Sequence, residues 1–248
     1  MDFAFLANTM GQLLAATPTT LALWILCISI GAVLALGAAW MRVSGIFVLE
    51  RLAAGYIFIF RGSPLLIQTF LVYYGLSQFP EVRHSFVWPV LREPFFCAVI
   101  SLALCTGGYT AEIFRGGLLS VPLKEIEAGR AIGMSGFRLF RRIIAPIALR
   151  QALPAYSTEI VLMMKSTSLA SLVTVWEVTG VAQRIISQTY RTMEVFLCAA
   201  VIYLVLNFLI IRLMSWLEGR LSPHLRGRPE AEIEGPEPHA EDLPEPQQ

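Results

Sequence analysis

Residues 120–154 read SVPLKEIEAGRAIGMSGFRLFRRIIAPIALRQALP, a basic, amphipathic insert with apolar segments on either side that are long enough to cross a bilayer. Pro122 can open a helix, since proline is tolerated in a first turn, and the pattern carries it through Glu125, Ile126, Glu127, Ala128, Gly129, Arg130, Ala131 and Ile132 to Gly133. On such a helix Ile126, Gly129 and Gly133 share one face, with Ala128 and Ile132 beside it, giving a small and partly apolar surface. An isolated glycine costs a helix about 1 kcal/mol relative to alanine, so Gly129 and Gly133 point to close approach by another surface, most simply a partner's. Ser135 and Gly136 interrupt the helix, and Phe137 to Ile144 resumes it with Arg138, Arg141 and Arg142 among Phe140, Ile143 and Ile144. Basic residues with apolar neighbours also suit anionic lipid at a cytoplasmic membrane surface.

Hydrophobic residues make up 56% of the 248 and charged residues 15%, against about 25% charged in an ordinary soluble domain, so much of the chain faces lipid. A span needs about 20 apolar residues, and the sequence offers about five candidates. The first, 13–41, lies in a run without charge from Phe3 to Met41, too long for the apolar core of a secretory signal; its Gly31, Ala35 and Ala39 form a flat side for another helix. The second, 52–76, is interrupted by Arg61, Gly62, Ser63 and Pro64. Ser63 as N-cap and Pro64 at the first helical position predict a bend or restart, with the spanning part from Pro64 onward and Arg61 near the water interface. The third, 95–118, contains Thr106, Gly107 and Gly108, and the fifth, 195–211, is uncharged and ends at Arg212. Cys27, Cys97, Cys105 and Cys198 sit inside apolar runs without metal or redox spacing and read as small core residues.

The fourth candidate, 155–175, carries Glu159, Lys165, Ser166, Thr167, Ser168 and Ser171. An ionisable residue within a span costs about 2.5 to 3.5 kcal/mol even on a lenient scale, so this helix is the one expected to line a cavity. Glu159 either meets a cationic ligand or pairs with Arg61 or Lys165 as a structural bridge. Lys165 with Ser166, Thr167 and Ser168 either orients a substrate carboxylate or makes helix-to-helix hydrogen bonds in a subunit interface. Arg61 is a gate or an interface anchor.

Thirteen Lys and Arg flank spans one, three and five on the side of the insert, among them Arg42, Arg115, Lys124, Arg130, Arg150 and Arg212, against Arg83, Arg92, Arg184 and Arg191 opposite. The positive-inside rule then puts the insert and the C-terminus in the cytoplasm and the N-terminus outside. Of the eighteen acids, seven fall from Pro229 onward where no Lys or Arg occurs, so a membrane domain 1–221 is expected to precede a disordered acidic, Pro-rich tail, 222–248. A membrane enzyme would need a convergent set of reactive groups or metal ligands, yet His84, His224 and His239 lie apart; a channel subunit or scaffold is the other class.

The run Glu127, Ala128, Gly129, then Gly133, Ile143 and Pro146 resembles the "EAA" loop of permease subunits in ABC importers, with Gly129 where alanine is usual and Ala145 where leucine is usual. FRGSPLLIQ (60–68), YTAEIFRGGLLSVP (109–122) and LPAYSTEIVLMMKSTSLASL (153–172) resemble polar amino acid permeases of the histidine, arginine and glutamine type, with Thr158 in place of the usual asparagine. YYGLSQFPEVRHSFVWP (73–89) is especially similar to the octopine branch.

The resemblance implies an all-α, polytopic membrane protein of the type I importer fold. It would have about five transmembrane helices and a cytoplasmic coupling helix at Glu127, Ala128, Gly129 and Gly133 that docks on a separate ABC ATPase dimer. It also implies pairing with a second permease or with itself, an extracytoplasmic solute-binding protein, and import of basic amino acids or opines across a bacterial inner membrane. ATP and magnesium belong to the ATPase. This chain has no phosphate-binding loop, binds no cofactor, metal or nucleic acid, and is not an enzyme.

Overall fold

The computed structural model describes residues 2–221, so the acidic segment 222–248 lies outside the described residues. Those residues are helical, with no strand among them. The uncharged run forms a single helix, α1 (Phe3–Val43), capped by the Asp2 carboxylate, which accepts from the Phe5 N–H at 3.3 Å. At 1.5 Å per residue it reaches about 60 Å, twice the hydrocarbon thickness. It starts at Phe3 rather than at Leu13 because Phe5, Leu6 and Met10 extend a core in which Leu13 and Ala16 meet Val178, Ala182, Val195 and Ile202.

The break in the second apolar segment comes from proline. Pro64 forces Ser63 into extended backbone (φ −112°, ψ 147°), which ends α2 (Phe47–Gly62), and α3 (Leu65–Phe70) restarts at 105° to it. Ser63 is not the N-cap of α3, as the sequence pattern predicts; Pro64 holds that position, and the Ser63 hydroxyl donates back to the Ile59 carbonyl at 2.7 Å. Buried Gln68 staples the corner, its amide N–H2 pointing at the Phe60 and Ser63 carbonyls, both at 3.0 Å.

Pro94 opens α4 (Pro94–Leu119) in the first-turn position where its missing N–H costs nothing. α5 (Leu123–Ala131) follows Pro122, and helical turns at Gly136–Leu139 and Phe140–Ile144 lead directly into α6 (Ala145–Ser166). A 3-10 segment, Thr167–Val173, ends at Thr174, whose left-handed backbone (φ 64°) turns the chain into α7 (Val178–Thr189) and then α8 (Thr192–Leu221). Among the described residues three helices, α1, α4 and α8, are each long and apolar enough to cross a membrane, and two bent pairs, Phe47–Gly62 with Leu65–Gln78 and Gly136–Val173 with Val178–Thr189, raise the number to as many as five.

α4 is the centre of the bundle, packed on α1, α2 and α6. Small residues permit this. A Cβ built on Gly31 runs into the Thr106 methyl, and one on Gly107 falls 2.5 Å from the Tyr56 hydroxyl. Ala35 and Ala38 continue the seam, packed with Ala53, Ile57 and Ala111. The flat side expected of Gly31, Ala35 and Ala39 is buried inside the chain.

Candidate functional site

α5 is held away from the bundle by a hairpin of its own chain. Glu127 and Ala128 are exposed on it, as are Lys124 and Arg130, while Gly129 is buried. A Cβ on Gly129 would lie 2.5 Å from Ile143 Cδ1 and 2.6 Å from Leu139 Cδ1. The close approach that its glycine permits is therefore made by the returning helical turn, not by another chain. Gly133 also departs from the expected helix face. The helix ends at Ala131, and Gly133 (φ 80°) is its left-handed stop: its N–H donates to the Arg130 carbonyl at 2.9 Å and the Met134 N–H to the Gly129 carbonyl at 3.0 Å, the paired bonds of a Schellman cap. Among the proposed contact residues, Glu127 and Ala128 form the outward face, and Gly129 and Gly133 shape it.

The returning turns carry this surface into the membrane domain without an intervening loop. Packing is close where α6 crosses α4, since a Cβ on Gly117 would meet the Ala148 carbonyl at 2.6 Å and the Ala152 methyl at 2.9 Å.

Farther along α6, Glu159 is 8% exposed, and its Oε1 accepts from the Thr106 hydroxyl of α4 at 2.9 Å. The Trp24 indole N–H of α1 donates to the neighbouring Ile160 carbonyl at 3.0 Å. Neither structural bridge open to Glu159 forms: no ion pair joins it to Arg61 or Lys165 among the described residues. Lys165 is six positions on, outside the three-or-four spacing that brings helical side chains together, and is exposed about 120° round α6 from Glu159. Thr167 is fully buried. The Ser166, Thr167 and Ser168 hydroxyls donate within their own helical segment, to the carbonyls of Leu162 (3.0 Å), Met164 (2.7 Å) and Lys165 (2.8 Å).

Arg61 is exposed at the end of α2, its guanidinium 5.2 Å from the Tyr109 ring centroid of α4. Both residues line a cleft of about 430 Å³ together with Arg42 and Glu112. Glu112 is held by Arg115 through two contacts at 2.9 and 2.7 Å and lies 3.6 Å from Arg42, which also reaches Glu50 at 3.3 Å. The cleft is thus cationic at Arg61 and neutralised at its other wall. The structure brings Glu159 to α4, Arg61 to Tyr109 and Lys165 to an open face, and does not gather them into one cluster.

Glu177 is a functional candidate that the sequence reading passes over. It is 0% exposed, and its carboxylate accepts from the Thr179 N–H (2.9 Å), the Gly180 N–H (2.8 Å) and the Tyr203 hydroxyl (2.6 Å). The first two bonds are an N-cap of α7, and the third ties it to α8. The available signal is a carboxylate placed ahead of Thr179 and Gly180, masked because glutamate is not among the favoured capping residues.

A family model described as "Binding-protein-dependent transport system inner membrane component" matches residues 28–223. The chain is 56% identical over 225 residues to an octopine transport system permease protein of Rhizobium radiobacter, covering 91% of this chain and 92% of that protein. It is 41% identical over 213 residues to a histidine/lysine/arginine/ornithine transport system permease protein of Escherichia coli K12, covering 85% and 90% of the two chains. Its fold is similar to the crystal structure of an amino acid ABC transporter with histidines: TM-score 0.78, 32% identity, 89% of this chain and 99% of that one.

Proposed function

The chain belongs to the binding-protein-dependent transport system inner membrane components, and from that premise we propose how its surfaces divide the work of import. It is a multi-pass inner-membrane permease subunit of an ABC importer, whose ATPase is a separate chain and whose solute arrives on a binding protein. In our reading α5 is the ATPase contact, with the N-terminus outside and the insert in the cytoplasm. A second permease, similar or identical, completes the pathway over an ATPase dimer that carries ATP and magnesium. The observation that carries this reading is the exposed pair Glu127 and Ala128 on a short helix whose inward side is sealed by its own chain at Gly129.

The relatives transport octopine and cationic amino acids by name, so the substrate proposed here is a basic amino acid or an opine. Glu159 is proposed as the group that meets its cationic side chain, oriented by Thr106; Arg61 and Lys165, both exposed and without an acidic partner among the described residues, are proposed for its carboxylate. Ser166 and Ser168 flank Lys165, whereas buried Thr167 supports the helix from behind. The test is uptake by the complete gene set, with labelled arginine competed by histidine, octopine and lysine. Competition by lysine and octopine supports the reading, and undiminished arginine uptake by Glu159→Gln would remove Glu159 from the pathway.

A further inference from the structure

The arginines that follow α5, whose apolar neighbours suit them to anionic lipid, take no part in the division of work proposed above. Arg138, Arg141 and Arg142 line one cleft of about 460 Å³ with Phe137, and none of the three makes an ion pair among the described residues. The acids nearest the ends of α1 and α4 are already taken, Glu50 by Arg42 and Glu112 by Arg42 and Arg115. Three adjacent guanidiniums without a counter-charge call for an anion from outside the chain, and phosphate oxygens match their fork of donors.

The same turn has a second side. Phe140 and Ile144 line a groove of about 570 Å³ walled entirely by apolar side chains, among them Leu36 and Trp40 of α1 and Leu118 of α4. From Leu36 to Val43 the groove follows α1 for about 10 Å, about two-thirds of the hydrocarbon depth of one leaflet. Trp40 is 61% exposed and Phe137 75% exposed, the amphipathic and aromatic side chains that settle at a membrane–water boundary. An acidic protein surface would satisfy the arginines and leave the groove between membrane helices bare. A zwitterionic lipid would fill the groove without supplying net negative charge.

We propose that the cleft and the groove together bind one anionic glycerophospholipid of the leaflet that faces the ATPase, its phosphate on Arg138, Arg141 and Arg142 and an acyl chain against Phe140 and Ile144. The site is built on the turn whose Ile143 packs on Gly129, so occupancy bears directly on the seat of α5. Only the choice of leaflet rests on the functional reading above.

The experiment uses the complete transporter in nanodiscs of phosphatidylcholine, with and without phosphatidylglycerol. Native mass spectrometry reads the retained lipid, and ATP hydrolysis is measured alongside. The expected result is selective retention of phosphatidylglycerol with a several-fold rise in hydrolysis. Both are lost in the Arg138→Gln, Arg141→Gln, Arg142→Gln triple variant, which still holds its ATPase subunits. Ala145→Phe, which fills the groove and leaves the arginines intact, should also lose the lipid. Equal retention of both lipids, undiminished retention by either variant, or loss of the ATPase subunits from the triple variant in both lipid mixtures would overturn the proposal; the last would make the cleft a protein contact.

Discussion

The contact assigned to α5 is tested most cleanly at Ala128, because the structure separates what faces outward from what holds the helix in shape. Ala128→Trp places an indole on an exposed position of α5 beside Glu127, so the folded chain has room for it. Forcing extra bulk into a packed interface costs about 1 to 3 kcal/mol, which is about 5- to 150-fold in affinity for the ATPase at 1.4 kcal/mol per tenfold. Gly133 is a poorer probe: its left-handed φ of 80° means that any side chain there adds about 1 to 2 kcal/mol of backbone strain before a partner is met. Gly129→Ala makes a control instead, since the new methyl meets only the terminal methyls of Leu139 and Ile143, which can turn aside, and alanine is the usual residue at that place in the loop it resembles. The assay reads labelled solute uptake and co-purified ATPase, normalised to permease in the membrane. Ala128→Trp should lose both at unchanged membrane amount, whereas Gly129→Ala should leave both close to wild type. Full uptake and full ATPase recovery with Ala128→Trp would show that α5 is not the docking helix.

Three other perturbations follow from measured contacts. Thr106→Val keeps the shape of the side chain but removes the donor to Glu159; a hydrogen bond to a charged group is worth about 1.5 to 3 kcal/mol, so uptake KM for a cationic substrate should rise about 10-fold or more, while Thr106→Ser should behave as wild type. Glu177→Ala removes the acceptor of the Thr179 and Gly180 N–H groups, at about 1 to 3 kcal/mol each, and leaves the Tyr203 hydroxyl only Thr179 Oγ1 at 3.0 Å, so it should lower the melting temperature of the solubilised complex far more than it changes KM. Gly117→Ala drives a methyl against the Ala148 carbonyl and should impair transport, whereas Gly37→Ala, which meets nothing within 4 Å, should be neutral to stabilising; equal effects of the two would contradict the packing at that crossing.

Much of this molecule was legible in the sequence because bilayer physics writes in long strokes. The uncharged run from Phe3, the Ser63–Pro64 corner and the proline starts at Pro94 and Pro122 each carry a local cause that tertiary packing does not override. What escaped was the partner of each small or polar residue. Gly129 and Gly133 look alike in a helical pattern, yet one admits Leu139 and Ile143 and the other stops the helix through its φ, a distinction that depends on where the chain returns. The bond from Thr106 to Glu159 joins residues separated by 53 positions, and no local spacing encodes it. Glu177 lies in a bend between helices, where neither apolar periodicity nor a favoured capping residue marks it.

These contacts also explain how a push at α5 would reach the carboxylate. From Gly136 the chain is helical through Ser166 with no loop, although a wide turn at Phe140–Ile144 and Pro154 inside α6 interrupt its regularity, so the segment that packs on Gly129 is joined through helix to the segment that holds Glu159. The helix packs closely on α4 at Ala148 against Gly117, and Glu159 lies eleven residues beyond that point, about 16 Å along the helix axis. With Ala148 as pivot, a tilt of about 2° displaces Glu159 by about 0.6 Å, enough to stretch its 2.9 Å bond to Thr106 to the limit of a hydrogen bond. A tilt that small requires no rearrangement of the core, only a change in the seat of α5. If α5 moves with the ATPase, the Thr106 bond is made or broken as it moves, and the carboxylate's hold on a cationic solute changes with it.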